Sequence, residues 1–196
     1  EMQRMGLQIS AEDIYSVNQS SLKDAVVHFN GGCTGELISS QGLLLTNHHC
    51  GYSQIQSHST LEDNYLKDGF WAASREEELP NKGLYAAIIK EIKDVSNDVL
   101  SGTTTEMAEA ERDSIIQSNR QMLLAKMKEA YPKLEFELKD FFFGNQYLLI
   151  SKTIYNDVRL VGAPPSSVGK YGADTDNWVW PRHTGDFSIF RIYADV

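Results

Sequence analysis

One stretch of this sequence decides how the chain folds, and it reads Cys33-Thr34-Gly35-Glu36-Leu37-Ile38-Ser39-Ser40-Gln41-Gly42-Leu43-Leu44-Leu45-Thr46-Asn47-His48-His49-Cys50. Two apolar segments, 35–39 and 43–46, are separated by a Gln-Gly turn signal, a pattern typical of antiparallel β-strands. We expect the second strand to end in the Thr-x-x-His-Cys sequence at 46–50. A disulfide between Cys33 and Cys50 would hold the histidine next to Cys50 at a fixed place. The alternative is that both cysteines are buried free thiols.

Strand signals continue on both sides of this stretch. Apolar runs bounded by turn residues lie at 24–29, 84–92, 134–161 and 186–193. The pair Gly144-Asn145 predicts a turn inside the longest of these runs. Because short strands with glycine-rich turns dominate, the sequence predicts a mainly β, antiparallel chain.

Helix signals interrupt the strands. A short helix is predicted near 10–13, and Ser59 and Glu62 have the spacing of a capping box that would open another. The strongest signal covers 103–131, with a capping-box spacing at its start and a proline after its end. One face of this helix carries Ile116, Leu123, Met127 and Tyr131. We expect that stripe to pack against the protein's own barrel of strands rather than against a partner.

Composition excludes several classes of function. The chain has 196 residues, enough for one domain or one domain with an insertion, and a formal net charge of -9. Nucleic-acid binders normally present a basic face, so nucleic acid is not an expected partner. No apolar run approaches the roughly 20 residues that cross a bilayer. Because residues 1–5 lack the apolar core of a signal peptide, we expect that a leader was removed or that the chain starts downstream of one.

An aspartate heads the last apolar segment, which reads Gly185-Asp186-Phe187-Ser188-Ile189-Phe190-Arg191. A carboxylate placed behind a histidine accepts its Nδ1 proton, fixes the tautomer and stabilises the imidazolium that forms during proton transfer. The alternative is an aspartate that caps a turn before a strand. From the residues alone, both interpretations of Asp186 stay open.

A metal site is a competing interpretation of the histidines. His48, His49 and Cys50 are all ligand types, and His58 and His183 could join them. Adjacent residues on a strand point to opposite faces, however, so these neighbours would not share one ion. We therefore expect no metal and no other cofactor.

Together, these segments resemble the chymotrypsin-like serine peptidases. That family has a Cys-Gly-Gly-Ser-Leu-Ile strand, a Thr-Ala-Ala-His-Cys element and an Asp-Ile-Ala-Leu-Leu strand. The matching segments here are 33–38, 46–50 and 186–190. The resemblance implies that His49 is the catalytic base, that Asp186 orients it, and that His48 is a non-catalytic neighbour. It also implies a disulfide between Cys33 and Cys50.

A closer resemblance is to the bacterial dipeptidyl-peptidase 7 and 11 family. It rests on six segments of the chain: Asn30-Gly31-Gly32-Cys33-Thr34-Gly35-Glu36, Thr46-Asn47-His48-His49-Cys50-Gly51-Tyr52, Asp68-Gly69-Phe70-Trp71-Ala72, Arg75-Glu76-Glu77-Glu78-Leu79-Pro80, Asp174-Thr175-Asp176-Asn177-Trp178 and Trp180-Pro181-Arg182-His183-Thr184-Gly185-Asp186. The family implies a periplasmic, secreted or cell-surface enzyme of a Gram-negative bacterium that removes dipeptides from peptides with a free N-terminus. It further implies a chymotrypsin-like double barrel with an added helical domain, usually a homodimer. By this matching, Asn177 and Trp178 help to hold the substrate's α-amino group.

The serine nucleophile of that family has no counterpart here. The triad order is His, Asp, Ser, yet the only serine after Asp186 is Ser188, inside a predicted strand. Ser166 and Ser167 precede the aspartate and lack the glycines of an oxyanion-hole turn. We expect this chain to be the first barrel of a two-barrel peptidase, with a helical insertion at about 103–131 and no second barrel or further helical domain.

Two functional expectations follow. The chain alone should hydrolyse no peptide, because a triad without its nucleophile leaves only residual catalysis. The preferred residue at the second position of the substrate, acidic or apolar, stays open, since the resemblance places that pocket in the absent barrel. A non-catalytic peptide- or protein-binding pseudo-peptidase domain is the alternative function.

Overall fold

The fold is described from a computed structural model that covers residues 1–16, 19–169 and 185–194. The chain divides into two units, one made of Glu1–Ala87 with Tyr155–Val196 and the other of Ile88–Ile154. The strands are β1 (Val26–Phe29), β2 (Cys33–Leu37), β3 (Leu43–Thr46), β4 (Phe70–Trp71), β5 (Leu79–Pro80), β6 (Ala86–Asp94), β7 (Glu135–Phe141), β8 (Gln146–Tyr155), β9 (Asp157–Ala163) and β10 (Ser188–Tyr193). The α-helices are α1 (Ala11–Ile14), α2 (His48–His58), α3 (Tyr65–Asp68), α4 (Ser96–Val99) and α5 (Glu109–Ala130).

An antiparallel sheet forms the first unit. Its strands follow the order β4-β9-β10-β3-β2-β1, with β5 also paired to β9, and the first two residues of β6 pair with β1. The hairpin of β1 and β2 places Phe29 opposite Cys33, and β10 places Ser188 opposite Thr46. This pairing brings the start of the last strand to the end of β3.

Alternating side chains fill the core of this unit. Val27 and Phe29 of β1 are fully buried, as are Leu44 of β3, Leu160 of β9 and Phe190 of β10. The rings of Phe29 and Phe190 lie 4.9 Å apart between centroids. Buried and more exposed residues alternate along β1 and β3, because successive side chains of a strand point to opposite faces of the sheet.

Helix α2 packs closely on the last strand. A Cβ atom at Gly51 would lie 2.8 Å from Ser188 Oγ and 2.9 Å from the Phe190 ring, too close for any side chain. Glycine at this position therefore lets the first turn of α2 approach β10. The prediction that this strand runs to position 50 is wrong. Strand β3 ends at Thr46, and Asn47 is the N-cap of helix α2, which begins at His48.

The second unit has its own core. Its buried residues are Val95, Val99, Ile116, Leu138, Tyr147 and Leu149, with Leu123 and Met127 packed against them. The apolar stripe of α5 thus covers β7 and α4, while Tyr131 beyond the helix end stays 54% exposed. At the tip of the β7–β8 hairpin, Phe142, Phe143 and Gly144 all have positive φ, as expected for the predicted turn.

Two predicted helix starts are wrong. The Thr103 hydroxyl donates to the Leu100 carbonyl at 2.8 Å, and α5 begins only at Glu109 without a side-chain cap. The capping box predicted at Ser59 and Glu62 does not begin a helix either, since the next helix, α3, begins at Tyr65 and has Asn64 as its N-cap. The predicted helix near 10–13 is present as α1, with Ser10 and Asp13 forming its capping box. Within the described residues, no helix is both long and apolar enough to cross a membrane.

The disulfide ties α2 to β2. Cys33 and Cys50 are bonded across a sequence separation of 17 residues. Replacing both cysteines with serine should lower the free energy of unfolding by roughly 3 kcal/mol, because the unfolded chain regains the entropy of that loop. Urea unfolding under oxidising conditions measures this loss. Added reductant should weaken the wild type and leave the double variant unchanged, and equal midpoints for the two oxidised proteins would contradict the prediction.

Candidate active site

His49 and Asp186 meet at the start of α2. His49 Nδ1 lies 2.6 Å from Asp186 Oδ2, and the His49 backbone N–H donates to Asp186 Oδ1 at 3.1 Å. One carboxylate therefore holds both the ring and the backbone of the same residue. The His49 side chain is 68% exposed and the Asp186 side chain only 14% exposed, so the imidazole faces solvent in front of a partly buried anion.

Strand pairing explains how residues 137 positions apart come together. Strand β10 runs antiparallel to β3, so the residues just before β10 lie beside those just after β3. The Asn47 side chain then joins the two segments by donating to Asp186 Oδ2 at 3.2 Å and to the Asp186 carbonyl at 3.1 Å. The Ser188 hydroxyl donates back to the Asn47 carbonyl at 3.0 Å. The resemblance assigned no role to Asn47, and because the sequence predicted a strand at this position, nothing marked it as a helix N-cap.

Opposing effects act on the Asp186 carboxyl group. Burial by itself raises the pKa of Asp186, but hydrogen bonds from the His49 backbone and ring outweigh it. The net result is a pKa below the ordinary value for aspartate. Asp186 is therefore an anion at neutral pH, which suits a group that stabilises an imidazolium.

A pH dependence of stability follows from this shift. Because the pKa of Asp186 is lower in the folded state than in the unfolded state, its charge stabilises the fold above about pH 4. That contribution is lost as the pH falls through the folded-state pKa. Urea unfolding of the wild type and Asp186→Asn between pH 2.5 and 7 should show a stability difference that is largest near neutrality and shrinks in acid. A difference independent of pH would contradict this assignment.

The neighbouring histidine lies in a different environment. His48 is 7% exposed, and burial lowers its pKa below the ordinary value, although the nearby Pro164 carbonyl and the Asp186 charge oppose that effect. Its Nε2 is buried and has no hydrogen-bond partner among the described residues. His48 is thus a neutral, packed residue, whereas His49 is accessible.

The cysteines and histidines near the site do not favour a metal. Cys33, Cys50 and His49 place ligand atoms within 4.8 Å of one another, yet the two sulfur atoms are bonded together and offer no thiolate. His58 Nε2 contacts Asn81 Oδ1 at 3.0 Å instead. His48, His49 and Cys50 lie on helix α2, so strand alternation does not separate their side chains. Cys50 is nevertheless not a metal ligand, because its sulfur is bonded to Cys33.

A cleft of about 410 Å³ opens beside the His49 ring. The hairpin of β1 and β2 forms one side of it and the first turn of α2 the other. Its lining consists of His28, Gly31, Gly32, Cys33, Thr34, Asn47, His49 and Cys50. The imidazole of His49 and both cysteines of the disulfide thus border the same cleft.

Comparison with known proteins agrees with this arrangement. The sequence profile of the peptidase S46 family matches residues 1–196, the whole chain. The chain belongs to the peptidase S46 family. It is 58% identical to the Asp/Glu-specific dipeptidyl-peptidase of Capnocytophaga gingivalis and 51% identical to dipeptidyl-peptidase 7 of Phocaeicola vulgatus, in each case over 100% of its length. The predicted resemblance to the dipeptidyl-peptidases is thereby confirmed.

A solved structure matches the fold of this chain. The crystal structure of Porphyromonas endodontalis DPP11 in complex with the dipeptide Arg-Asp matches with a TM-score of 0.83 and 53% identity, over 99% of this chain. This match confirms the mainly antiparallel β fold. The chain covers 27% of the Capnocytophaga gingivalis enzyme and 28% of the DPP11 chain, so it spans little more than a quarter of the relatives it matches.

Several predicted residues lie outside the part of this S46 chain that the structure describes. Asn177, Trp178 and His183 all fall between positions 169 and 185. Ser188 is described and fully buried, with its hydroxyl donated to the backbone of Asn47. Ser188 is therefore not an accessible nucleophile for His49.

Proposed function

We propose that this chain carries the base and the orienting carboxylate of a serine dipeptidyl-peptidase. The 2.6 Å contact between His49 Nδ1 and Asp186 Oδ2 carries the proposal. A carboxylate at this distance accepts the Nδ1 proton and leaves Nε2 free to act as a base. The exposure of the imidazole leaves room for a nucleophile and a substrate to approach it.

The nucleophile is proposed to be a serine outside these 196 residues. His49 Nε2 removes the proton of the serine hydroxyl as its oxygen attacks the carbonyl carbon of the second peptide bond. The resulting imidazolium then gives that proton to the departing nitrogen, and the C–N bond breaks. Water repeats the cycle on the acyl-enzyme, which releases the dipeptide and restores the serine.

The wider setting of the enzyme is also part of the proposal. The first unit would be the first barrel of a chymotrypsin-like pair, and the S46 match together with the disulfide supports this placement. A disulfide is typical of oxidising compartments, which agrees with a periplasmic, secreted or cell-surface location. A homodimer is expected for the full-length enzyme.

Substrate recognition is proposed at both ends of the dipeptide. Asn177, with Trp178 beside it, would hold the free α-amino group, since an amide oxygen accepts from an ammonium and an indole adds a cation–π contact. An acidic second residue is the proposed preference. In support, the Asp/Glu-specific relatives are 52–58% identical to this chain and the dipeptidyl-peptidase 7 relatives 45–51%.

Mass spectrometry of peptide digests by the full-length protein tests this function. A peptide with a free N-terminus and aspartate at position two should lose its first two residues as a dipeptide. Acetylation of the same peptide should abolish cleavage, because the ammonium group is lost. Leucine in place of the aspartate should slow release at least tenfold.

The outcomes separate the alternatives. Dipeptide release that is faster with leucine than with aspartate would overturn only the acidic preference. Cleavage of the acetylated peptide would overturn the proposed amine docking. No cleavage of any peptide, together with measurable peptide binding, would instead favour a pseudo-peptidase domain.

A further inference from the structure

The cleft beside His49 has an unusual lining for such an acidic chain. The net charge of the protein is -9, yet no carboxylate lines the cleft, and its ionisable groups are the imidazoles of His28 and His49. The side-chain amide of Asn47 is already donated to Asp186. The lining thus offers hydrogen-bond donors and no carboxylate.

Strand alternation directs two of these donors to the cleft. Val27 and Phe29 of β1 are buried in the core, so His28 between them points to the opposite face of the sheet. His28 is paired with Thr34 of β2, which puts the Thr34 side chain on the same face. The imidazole and the hydroxyl therefore stand side by side over the cleft, where the glycines at 31 and 32 add no side chain.

The position of the cleft indicates which part of a substrate would fill it. During acyl transfer the imidazolium of His49 gives its proton to the departing nitrogen, so the residue that follows the broken bond must lie against His49. A ring nitrogen of His49 is within 4.8 Å of the disulfide sulfurs, and the two cysteines line the same cleft as His28 and Thr34. A volume of about 410 Å³ accommodates one or two amino-acid residues.

We propose that this cleft binds the departing end of the peptide and that His28 recognises a carboxylate on it. The carboxylate could be the C-terminal group of a short leaving peptide or the side chain of an acidic residue. A charge-assisted hydrogen bond from the imidazole would favour either source over a neutral group. This inference rests on the proposed peptidase function and adds a preference on the departing side of the bond.

Paired substrates test it in the full-length protein. All four substrates share one acyl dipeptide and differ only in the leaving group. The first pair, glycine and glycinamide, tests a C-terminal carboxylate. The second pair, aspartic acid amide and asparagine amide, tests a side-chain carboxylate. The wild type should cleave the anionic member of at least one pair with the higher kcat/KM. His28→Phe should reduce kcat/KM by about tenfold on that member and less than twofold on its neutral partner.

Controls make the result specific to the cleft. His28→Gln keeps a donor and should recover part of the preference, whereas His58→Phe removes an imidazole from the far end of α2 and should leave the ratio unchanged. A wild type without any anionic preference, or an equal loss on both members of a pair in His28→Phe, would overturn the inference while leaving the peptidase function standing. A wild type that cleaves none of the four substrates would instead overturn the proposed function, and this inference with it.

Discussion

Replacing His49 with alanine should lower kcat/KM of the full-length protein for dipeptide release by on the order of 10⁴-fold or more, as expected for removal of a triad base. Without the imidazole, neither the serine nor the departing nitrogen has a partner for proton transfer. Asp186→Asn should cost a similar factor, since the amide cannot stabilise an imidazolium and favours the wrong tautomer. Steady-state kinetics on one fluorogenic dipeptide substrate measures both losses.

Controls must separate chemistry from folding. The His49 side chain is mostly exposed, so His49→Ala should unfold at a temperature close to that of the wild type. The double variant His49→Ala/Asp186→Asn should be hardly slower than either single variant, because the two residues act as one unit. A His49→Ala protein that keeps a tenth of the wild-type activity would rule out its role as the base.

A buried carboxylate away from the active site supports the last strand. Glu78 is 4% exposed and accepts from Arg191 Nε at 2.8 and 3.1 Å and from the Tyr193 hydroxyl at 2.8 Å. The Arg191 guanidinium also donates to the Gln41 carbonyl at 2.9 Å, and the Arg159 guanidinium lies 4.1 Å from the centre of the Tyr193 ring. Glu78 thus holds Arg191 and Tyr193 of β10, the strand that begins two residues after Asp186.

Glu78→Ala should lower the free energy of unfolding by about 3–5 kcal/mol, because it leaves the Arg191 charge buried without its partner. The double variant Glu78→Leu/Arg191→Met should lose less than the single one, since both charges are then gone. Denaturant unfolding of the wild type, Glu78→Ala and the double variant measures both losses. A loss below 1 kcal/mol for Glu78→Ala would contradict a structural role for the pair.

The sequence predicted the strands better than the helices. The apolar runs predicted at 24–29, 43–46 and 186–193 contain β1, β3 and β10. Helix α2 was missed because His48–His58 contains a glycine and few strong helix formers, so its helicity depends on packing against β10. Thr103 and Glu106 matched a capping box, but the Thr103 hydroxyl caps the end of the preceding turn, which no spacing rule could foresee.

The candidate site was predicted in part. Two motifs singled out His49 and Asp186, and antiparallel pairing of β3 with β10 supplies the reason that they meet. Asn47 and Glu78 were not assigned a role, because one asparagine beside two histidines and one glutamate in a run of three look like ordinary polar residues. Their roles depend on partners more than 100 positions away, which only the folded chain brings near.

Labelling with a fluorophosphonate tests most directly whether His49 and Asp186 activate a serine. The reagent bonds covalently to an activated serine oxygen, and mass spectrometry locates the adduct in the full-length protein. We predict one adduct per chain on a serine outside residues 1–196, formed at least a hundredfold more slowly in His49→Ala and Asp186→Asn. No adduct in the wild type, or labelling at an equal rate in the His49→Ala protein, would contradict the account.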